Sequence, residues 1–397
     1  MRSDDSSDVT RFWGLDPEIA FLNHGSFGAC PVPVLAAQQR LRDSMEREPV
    51  RFFTRDLEGL LDAARAALAA FIGAAPPDVA FVPNATAGVN AVLRSLPIDP
   101  GDELLVTDHA YNACRNALDF VAADRRARVI VVPVPFPIGS AGEVMEAVLA
   151  RVSAHTRLAL LDHVTSPTGL VFPIERLVQA LAAEGVDTLV DGAHAPGMLP
   201  LDVAAVGAAY YTGNCHKWLC APKGAGFLHV RSDLQAEVRP IAISHGANTP
   251  RRDRSRFLAE FDWTGTHDPT PYLCVPEAIR FMASLLPGGW PAVMARNRAL
   301  ALEARTILAR ALDVPPPSPD AMIGALAALP LPDGSPAATS ALHPSDPLQD
   351  ALLVRFGIEV PLAAWPRPPK RLIRISAQLY NSVPQYERLA AALRELL

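Results

Sequence analysis

The sequence predicts an α/β protein: a largely parallel sheet covered by helices on both faces, with a smaller unit towards the C-terminus. Two observations carry this. Between residues 79 and 230, short apolar runs end in polar residues and alternate with segments whose apolar positions recur at helical intervals. That alternation is the mark of successive βα units. The length, 397 residues, also exceeds what one simple core holds, so a large domain and a smaller one are expected. A composition that is 50% hydrophobic and 20% charged belongs to a packed globule and not to a disordered chain.

Taken in order, the first 20 residues read as a loose lead-in. In FLNHGSFGACP, the Gly25/Gly28 and Pro31/Pro33 pairs mark a rigid loop, and a helix is predicted from near Pro33 to Pro49. Asn23, His24 and Ser26 in that loop are either a pocket wall or turn-formers. DLEGLLDAARAALAAFIG is an amphipathic helix closed by Gly73. VAFVPNATAGVNAVLRSL runs strand, turn, helix, with Thr86 and Gly88 at the helix start. Free N–H groups beside a hydroxyl there suit an anion; simple N-capping by Asn84 or Thr86 is the plainer alternative. GDELLVTDHAYNACRNALDFVA repeats the pattern, with a strand ending at Thr107 and His109, Tyr111 and Asn112 at its edge.

ARVIVVPVPFP is the next strand. A helix, the strand RLALLDHV, the loop Thr165–Gly169 and another helix follow, and then a strand ends in Asp191. AAYYTG delivers His216 and Lys217 into a Gly/Pro-bounded turn, and GAGFLHV is a further strand. The long loop after it holds Asp262–Thr266, small and polar like a binding loop. VPEAIRFMASLL and a helix from Pro291 to about Leu312 lead into the second unit. PPPSP and LPDGSPAATS read as breakers and mobile surface; RLIRIS and a terminal helix close the chain. The expected division is a lead-in over 1–20, a large domain over 21–275 and a small α+β domain over 276–397. Ligands of parallel sheets collect at the carboxyl ends of the strands, so Thr86, His109, Ser166 and Asp191 are expected to share a pocket.

Net charge is -6, and the one basic run, residues 251–256, reads as a solvated loop or a contact for an anionic substrate. No nucleic-acid partner is expected. Five dispersed cysteines give neither a disulfide framework nor a CxxC metal motif, so buried free thiols and a reducing compartment are expected, with no metal. The acidic N-terminus lacks the apolar core of a signal peptide, and no apolar run reaches about 18 residues, so a cytoplasmic protein with no membrane partner is expected. No GxGxxG follows a strand, and neither GxxxxGK[ST] nor HExxH occurs.

Lysine is scarce. Of 36 lysine and arginine residues, three are lysine, and Lys217 and Lys223 share one short segment. Arginine cannot form an imine with an aldehyde, whereas a desolvated lysine can, so Lys217 is either such an amine or a chance surface lysine. Arg374, bracketed by apolar residues in RLIRIS, either faces water or clamps a carboxylate. Pyridoxal phosphate needs an amine, a carboxylate for its ring nitrogen, donors for its phosphate and a flat group over its ring. Lys217, Asp191, Thr86 and His109 would supply them.

FLNHGSFG, PNATAGVNAVL, TDHAYN, HVTSPTG, VDGAHAPG, GNCHKWLCAPKG, TGTHDPTPYL and RISAQLYN together resemble the class V aminotransferase family of fold-type I pyridoxal-phosphate enzymes, in its isopenicillin N epimerase-like branch. The resemblance implies a seven-stranded, mostly parallel sheet and pyridoxal 5'-phosphate as cofactor. It implies Lys217 as the Schiff-base lysine, Asp191 as partner of the ring nitrogen and His194 at the phenolic oxygen. Thr86 with the backbone of Ala85 and Ala87, His216 and Thr212 would hold the phosphate. His109 would stack on the ring, ahead of Tyr111 or Asn112. Ser166 would lie near substrate or ring, Arg374 would bind the substrate carboxylate, and Asn23, His24 and Tyr111 would line the substrate side. Thr266 would reach the neighbouring subunit's phosphate, which makes a homodimer the working unit.

The desulfurases of this family carry a nucleophilic cysteine on a loop before the last strand, and here none follows Cys274. The resemblance therefore implies an epimerase or racemase acting at the α-carbon of an amino-acid-like substrate through an external aldimine and quinonoid. The alternatives are a β-lyase cleaving carbon–sulfur bonds, an aminotransferase, or a non-catalytic binding protein of the same fold. Two-sided proton transfer needs a second acid, for which His24, Tyr111 or a water would serve.

Overall fold

The computed structural model describes residues 9–334 and 346–397. The acidic start of the chain and most of the LPDGSPAATS stretch lie outside the described residues. Strands β1 (Val79–Val82), β2 (Glu103–Thr107), β3 (Arg128–Val132), β4 (Thr156–Asp162), β5 (Asp187–Asp191), β6 (Tyr210–Asn214) and β7 (Gly226–Val230) form a seven-stranded sheet of order β1-β7-β6-β5-β4-β2-β3. All neighbours from β6 to β3 run parallel, and β7 is antiparallel to both β6 and β1.

Helices α1 (Val32–Arg47), α2 (Leu57–Ile72), α3 (Ala85–Ser95), α4 (Asn112–Arg125), α5 (Ala141–Leu149) and α6 (Ile174–Ala183) supply cover. The two-residue period of β4 shows how both faces are buried. Leu158 and Leu160 join Val89, Val92 and Leu118 of α3 and α4 in one core, while Ala159 and Leu161 join Leu68, Val144 and Leu177 of α2, α5 and α6 in the other. Each such buried leucine contributes about 2 kcal/mol of apolar burial, and truncation to alanine costs about 2–5 kcal/mol.

The second unit is a three-stranded antiparallel sheet, β8 (Leu326–Leu331), β9 (Leu362–Ala364) and β10 (Arg371–Ser376), with β10 in the middle. Helices α7 (Gly289–Leu312) and α8 (Val383–Leu396) pack on it through Leu308, Tyr386 and Leu389, against Leu329, Ile373 and Ile375. The lead-in departs from the sequence reading. Val9 and Trp13 are buried in the main core, and the Trp13 indole donates to the Ala29 carbonyl at 3.1 Å. Ala20–Phe21 pairs with Ile358–Glu359, and Ala20 and Leu22 enter the second core. A tryptophan's apolar area is too large to leave in water, and no polar sequence signal announces that its partner lies near the other end of the chain.

Candidate active site

The floor of the site is two carboxyl groups. Asp162 and Asp191 end β4 and β5 side by side, in register, and both are buried. Burial, reinforced by the neighbouring Asp191 charge, pushes the Asp162 carboxyl well above the usual range, which favours its neutral form. Asp191 receives two donors: the Ala193 N–H reaches Oδ1 at 3.0 Å and the Cys114 thiol reaches Oδ2 at 3.0 Å. Above this floor opens a cavity of about 210 Å3.

Lys217 enters from the β6–β7 connection. Its Nζ lies 3.2 Å from His194 Nε2, and its own carbonyl is held by His24 Nε2 at 3.1 Å. Gly28 allows this fit: its φ is +70°, and a Cβ there would meet the His216 carbonyl at 2.3 Å. Desolvation first, then the positive charge of Arg374, lowers the Lys217 amine to about 8. The bland reading of a surface lysine fails.

Arg374 also turns inward, against the water-facing alternative. It is 7% exposed. Nη1 donates to the Ser166 carbonyl at 2.5 Å and to Ser166 Oγ at 3.1 Å, Nη2 donates to Ser26 Oγ at 3.0 Å, and Nε has no partner. Among the described residues no carboxylate pairs with it, and burial lowers it to about 10. A buried cation without a carboxylate partner among the described residues is chemically complementary to a carboxylate.

At the start of α3, the Ala85 N–H donates to Asn214 Oδ1 at 2.8 Å and the Ala87 N–H to Asn84 Oδ1 at 2.9 Å. Those two backbone groups already have acceptors, so what this turn presents to the cavity is Thr86, with Asn84 and Asn214 beside it. His216 lines the same wall; its Nδ1 is bonded to the Ala225 carbonyl at 2.8 Å, and burial lowers it to about 4. Its Nε2 must take up a proton before it can donate to an anion.

Of the residues singled out in the sequence, Ala85, Thr86, Tyr111, Ser166, Asp191, His194, His216 and Lys217 line this cavity. Others do not. His109 is fully buried, its ring nitrogens bonded to Thr168 Oγ1 and the Val134 carbonyl, with Trp365 packed at 4.6 Å. Tyr111, two residues on, takes the wall instead. Thr212 donates to the Phe227 carbonyl and packs on Gly88, away from the opening; Asn214, one turn of the pleat later, lines it. Asn23 is bound to Glu359 and Ser26, and His24 to Tyr380 and the Lys217 carbonyl, so both support the wall from behind. Ala87 lies off this cavity, and Thr266 is exposed and does not reach it within its own chain.

The residues fit pyridoxal phosphate: an amine lowered to about 8, a carboxylate with its donors on the floor, a helix start with a hydroxyl, and a guanidinium that no carboxylate among the described residues pairs with. Asp162, Asn214 and Cys114 were missed. The first two end strands as Asp191 does, a signal open to reading; Cys114 carried none.

A class-V aminotransferase family model matches residues 32–311. Isopenicillin N epimerase of Amycolatopsis lactamdurans is 39% identical over 396 residues, covering 96% of each chain, and that of Streptomyces clavuligerus is 36% identical with the same coverage. A putative L-cysteine desulfhydrase of Oryza sativa subsp. japonica is 30% identical, over 96% of this chain and 83% of its own. Among solved structures, a mutant of C-DES with glycine covalently linked to its pyridoxal-phosphate cofactor superposes with a TM-score of 0.77 at 22% identity, over 96% of this chain and 97% of the other. The cysteine desulfurase CsdA of Escherichia coli gives 0.77 at 19% identity, each chain covered in full. At these identities the structural matches speak for the fold.

Proposed function

The chain belongs to the class-V aminotransferase family, and we propose that within it this pyridoxal-phosphate enzyme is an epimerase or racemase acting at the α-carbon of an amino acid or amino-acid-containing substrate. The observation that carries the reading is the Lys217 amine on the cavity wall, lowered to about 8 by burial and by the charge of Arg374, which stands behind the lining residues Ser26 and Ser166 with no carboxylate partner among the described residues. The epimerase relatives, at 36% and 39% identity over nearly the whole chain, support the choice of reaction.

Bound pyridoxal phosphate supplies an aldehyde for an amine and a ring that accepts the electron pair left when a bond at the α-carbon breaks. Lys217 would hold the cofactor through its amine. Asp191, fixed by Ala193 N–H and Cys114, would be the partner of its ring nitrogen. Thr86, with Asn84, Asn214 and a protonated His216, receives the phosphate. Arg374 would take the substrate carboxylate and so orient the α-carbon towards Lys217, whose amine would remove the proton. Inversion needs a proton returned from the other side. His24 is occupied by Tyr380 and the Lys217 carbonyl, so Tyr111, on the cavity wall across β5 and β4 from Lys217, is the group assigned to that step.

A second reading, β-elimination from a cysteine-derived substrate, has support in the 30% identical desulfhydrase relative. Persulfide chemistry has none here, because all five cysteines are buried and none follows Cys274. Incubation with L- and D-amino acids in D2O separates the two. Deuterium at the α-carbon with inversion is expected, whereas pyruvate with a released thiol makes it a lyase and a pyridoxamine product an aminotransferase. We further propose a homodimer in which Thr266 reaches the neighbouring subunit's phosphate, located in the cytoplasm, where five free thiols stay reduced. Thr266→Ala should weaken cofactor affinity; active monomers would end that proposal. Among the described residues no helix is long and apolar enough to cross a membrane.

A further inference from the structure

We infer that Trp218 is a positioning residue: its indole N–H fixes His194 in a single tautomer, and that tautomer favours the uncharged form of the Lys217 amine. Trp218 Nε1 lies 3.2 Å from His194 Nδ1. An indole nitrogen only donates, so Nδ1 must accept, and the neutral ring carries its hydrogen on Nε2. The imidazolium form is excluded for the same reason, since it has a hydrogen on both nitrogens. Burial lowers His194 well below its ordinary value, in agreement with that geometry.

His194 Nε2 in turn stands 3.2 Å from Lys217 Nζ. An ammonium group offers only donors, and two donors cannot share that contact. A neutral amine offers a lone pair. The contact therefore accommodates the form of Lys217 that attacks an aldehyde. The other titratable groups facing the amine are Asp191 and Asp162 from the floor, Cys114 from α4 and Arg374 from β10. Desolvation and Arg374 push in the same direction as His194, and the acidic groups push against it.

The indole is held in place from several sides. Trp218 is fully buried in a cluster with Val164, Met198 and Leu326. Gly197, at φ +84°, lets the backbone of Trp218 approach the loop that carries His194; a Cβ there would come within 2.6 Å of the Trp218 carbonyl. The chain after Lys217 thus positions the group that faces Lys217, through a partner 23 residues earlier. A phenylalanine would fill the same cluster but could not set the tautomer.

The test uses apoprotein, so it is independent of whether the reaction is epimerisation; it rests only on Lys217 being the reactive amine. NMR of 15N-histidine-labelled protein should show His194 with a hydrogen on Nε2 and a bare Nδ1. Reductive methylation by formaldehyde and cyanoborohydride, read by mass on the Lys217 peptide against pH, measures the uncharged amine. In Trp218→Phe, the tautomers should mix and labelling at neutral pH should fall about tenfold, the equivalent of one pKa unit. His194→Gln, whose amide accepts from the indole and donates to the amine, should label at close to the parent rate. A hydrogen on Nδ1 in the parent, an unmoved profile in Trp218→Phe, or a His194→Gln variant as slow as Trp218→Phe overturns the inference. If Trp218→Phe fails to fold, the parent spectrum alone decides.

Discussion

Replacing Arg374 with Gln tests whether a buried cation waits for a substrate carboxylate. Burial lowers the guanidinium to about 10. A drop of that size from the ordinary arginine value corresponds to about 3 kcal/mol carried by the folded apoprotein. The sign is that of a cation whose folded value is depressed: the cost is full at every pH below about 10 and is relieved only above it. Against this stand the hydrogen bonds to Ser166 and Ser26, each worth about 1–3 kcal/mol with a charged donor. At the low end, about 1 kcal/mol for each of the three bonds, the two cancel. Arg374→Gln apoprotein should therefore unfold within about 1 kcal/mol of the parent, whereas breaking an ordinary buried ion pair costs about 3–5 kcal/mol. With substrate present the balance changes, because truncating one side of a buried charge pair costs about 2–5 kcal/mol, roughly thirtyfold or more in KM. Denaturant melts of apoprotein and steady-state kinetics of holoenzyme measure both quantities. An unchanged KM, or an apoprotein weakened by about 3 kcal/mol or more, would refute the assignment.

Lys217 labelling in apoprotein should rise about tenfold per pH unit and level off near pH 8, and a profile still climbing at pH 10 would contradict the lowered amine. Because the folded value lies below the unfolded one, the unfolded chain binds the extra proton, and the apoprotein should gain stability as pH rises above about 8. Asp162→Asn should leave cofactor binding and turnover nearly intact, since burial favours the neutral form of Asp162, while Asp191→Asn should lose most turnover; equal losses would show that the two carboxyls share the charge. His109→Phe should cost about 1–3 kcal/mol of stability through its bonds to Thr168 and Val134, with cofactor affinity unchanged. A tenfold weaker cofactor complex would return His109 to the cavity wall.

The parallel sheet was legible because βα alternation is local: the polar residue ending each apolar run marks the carboxyl edge, and Thr86, Ser166 and Asp191 were found that way. Lys217 stood out through composition alone. Side-chain direction was not legible. His109 and Tyr111 occupy one strand-to-helix turn, and which of them faces the cavity depends on Trp365 and Phe172, residues far away in sequence that pack on the histidine. Thr212 and Asn214 lie on the same strand, and the one drawn off the site is decided by the Phe227 carbonyl on β7. Burial of Arg374 likewise depends on Ser26, near the other end of the chain.

The central claim is that Lys217 bonds covalently to the cofactor while Asp191 holds its ring nitrogen protonated. Borohydride reduction of the holoenzyme followed by peptide mass spectrometry measures the first half directly. A phosphopyridoxyl mass on the Lys217 peptide, and on neither Lys223 nor Lys370, is the predicted result. A modified Lys223, or no modified lysine in a protein that still binds the cofactor, would contradict it.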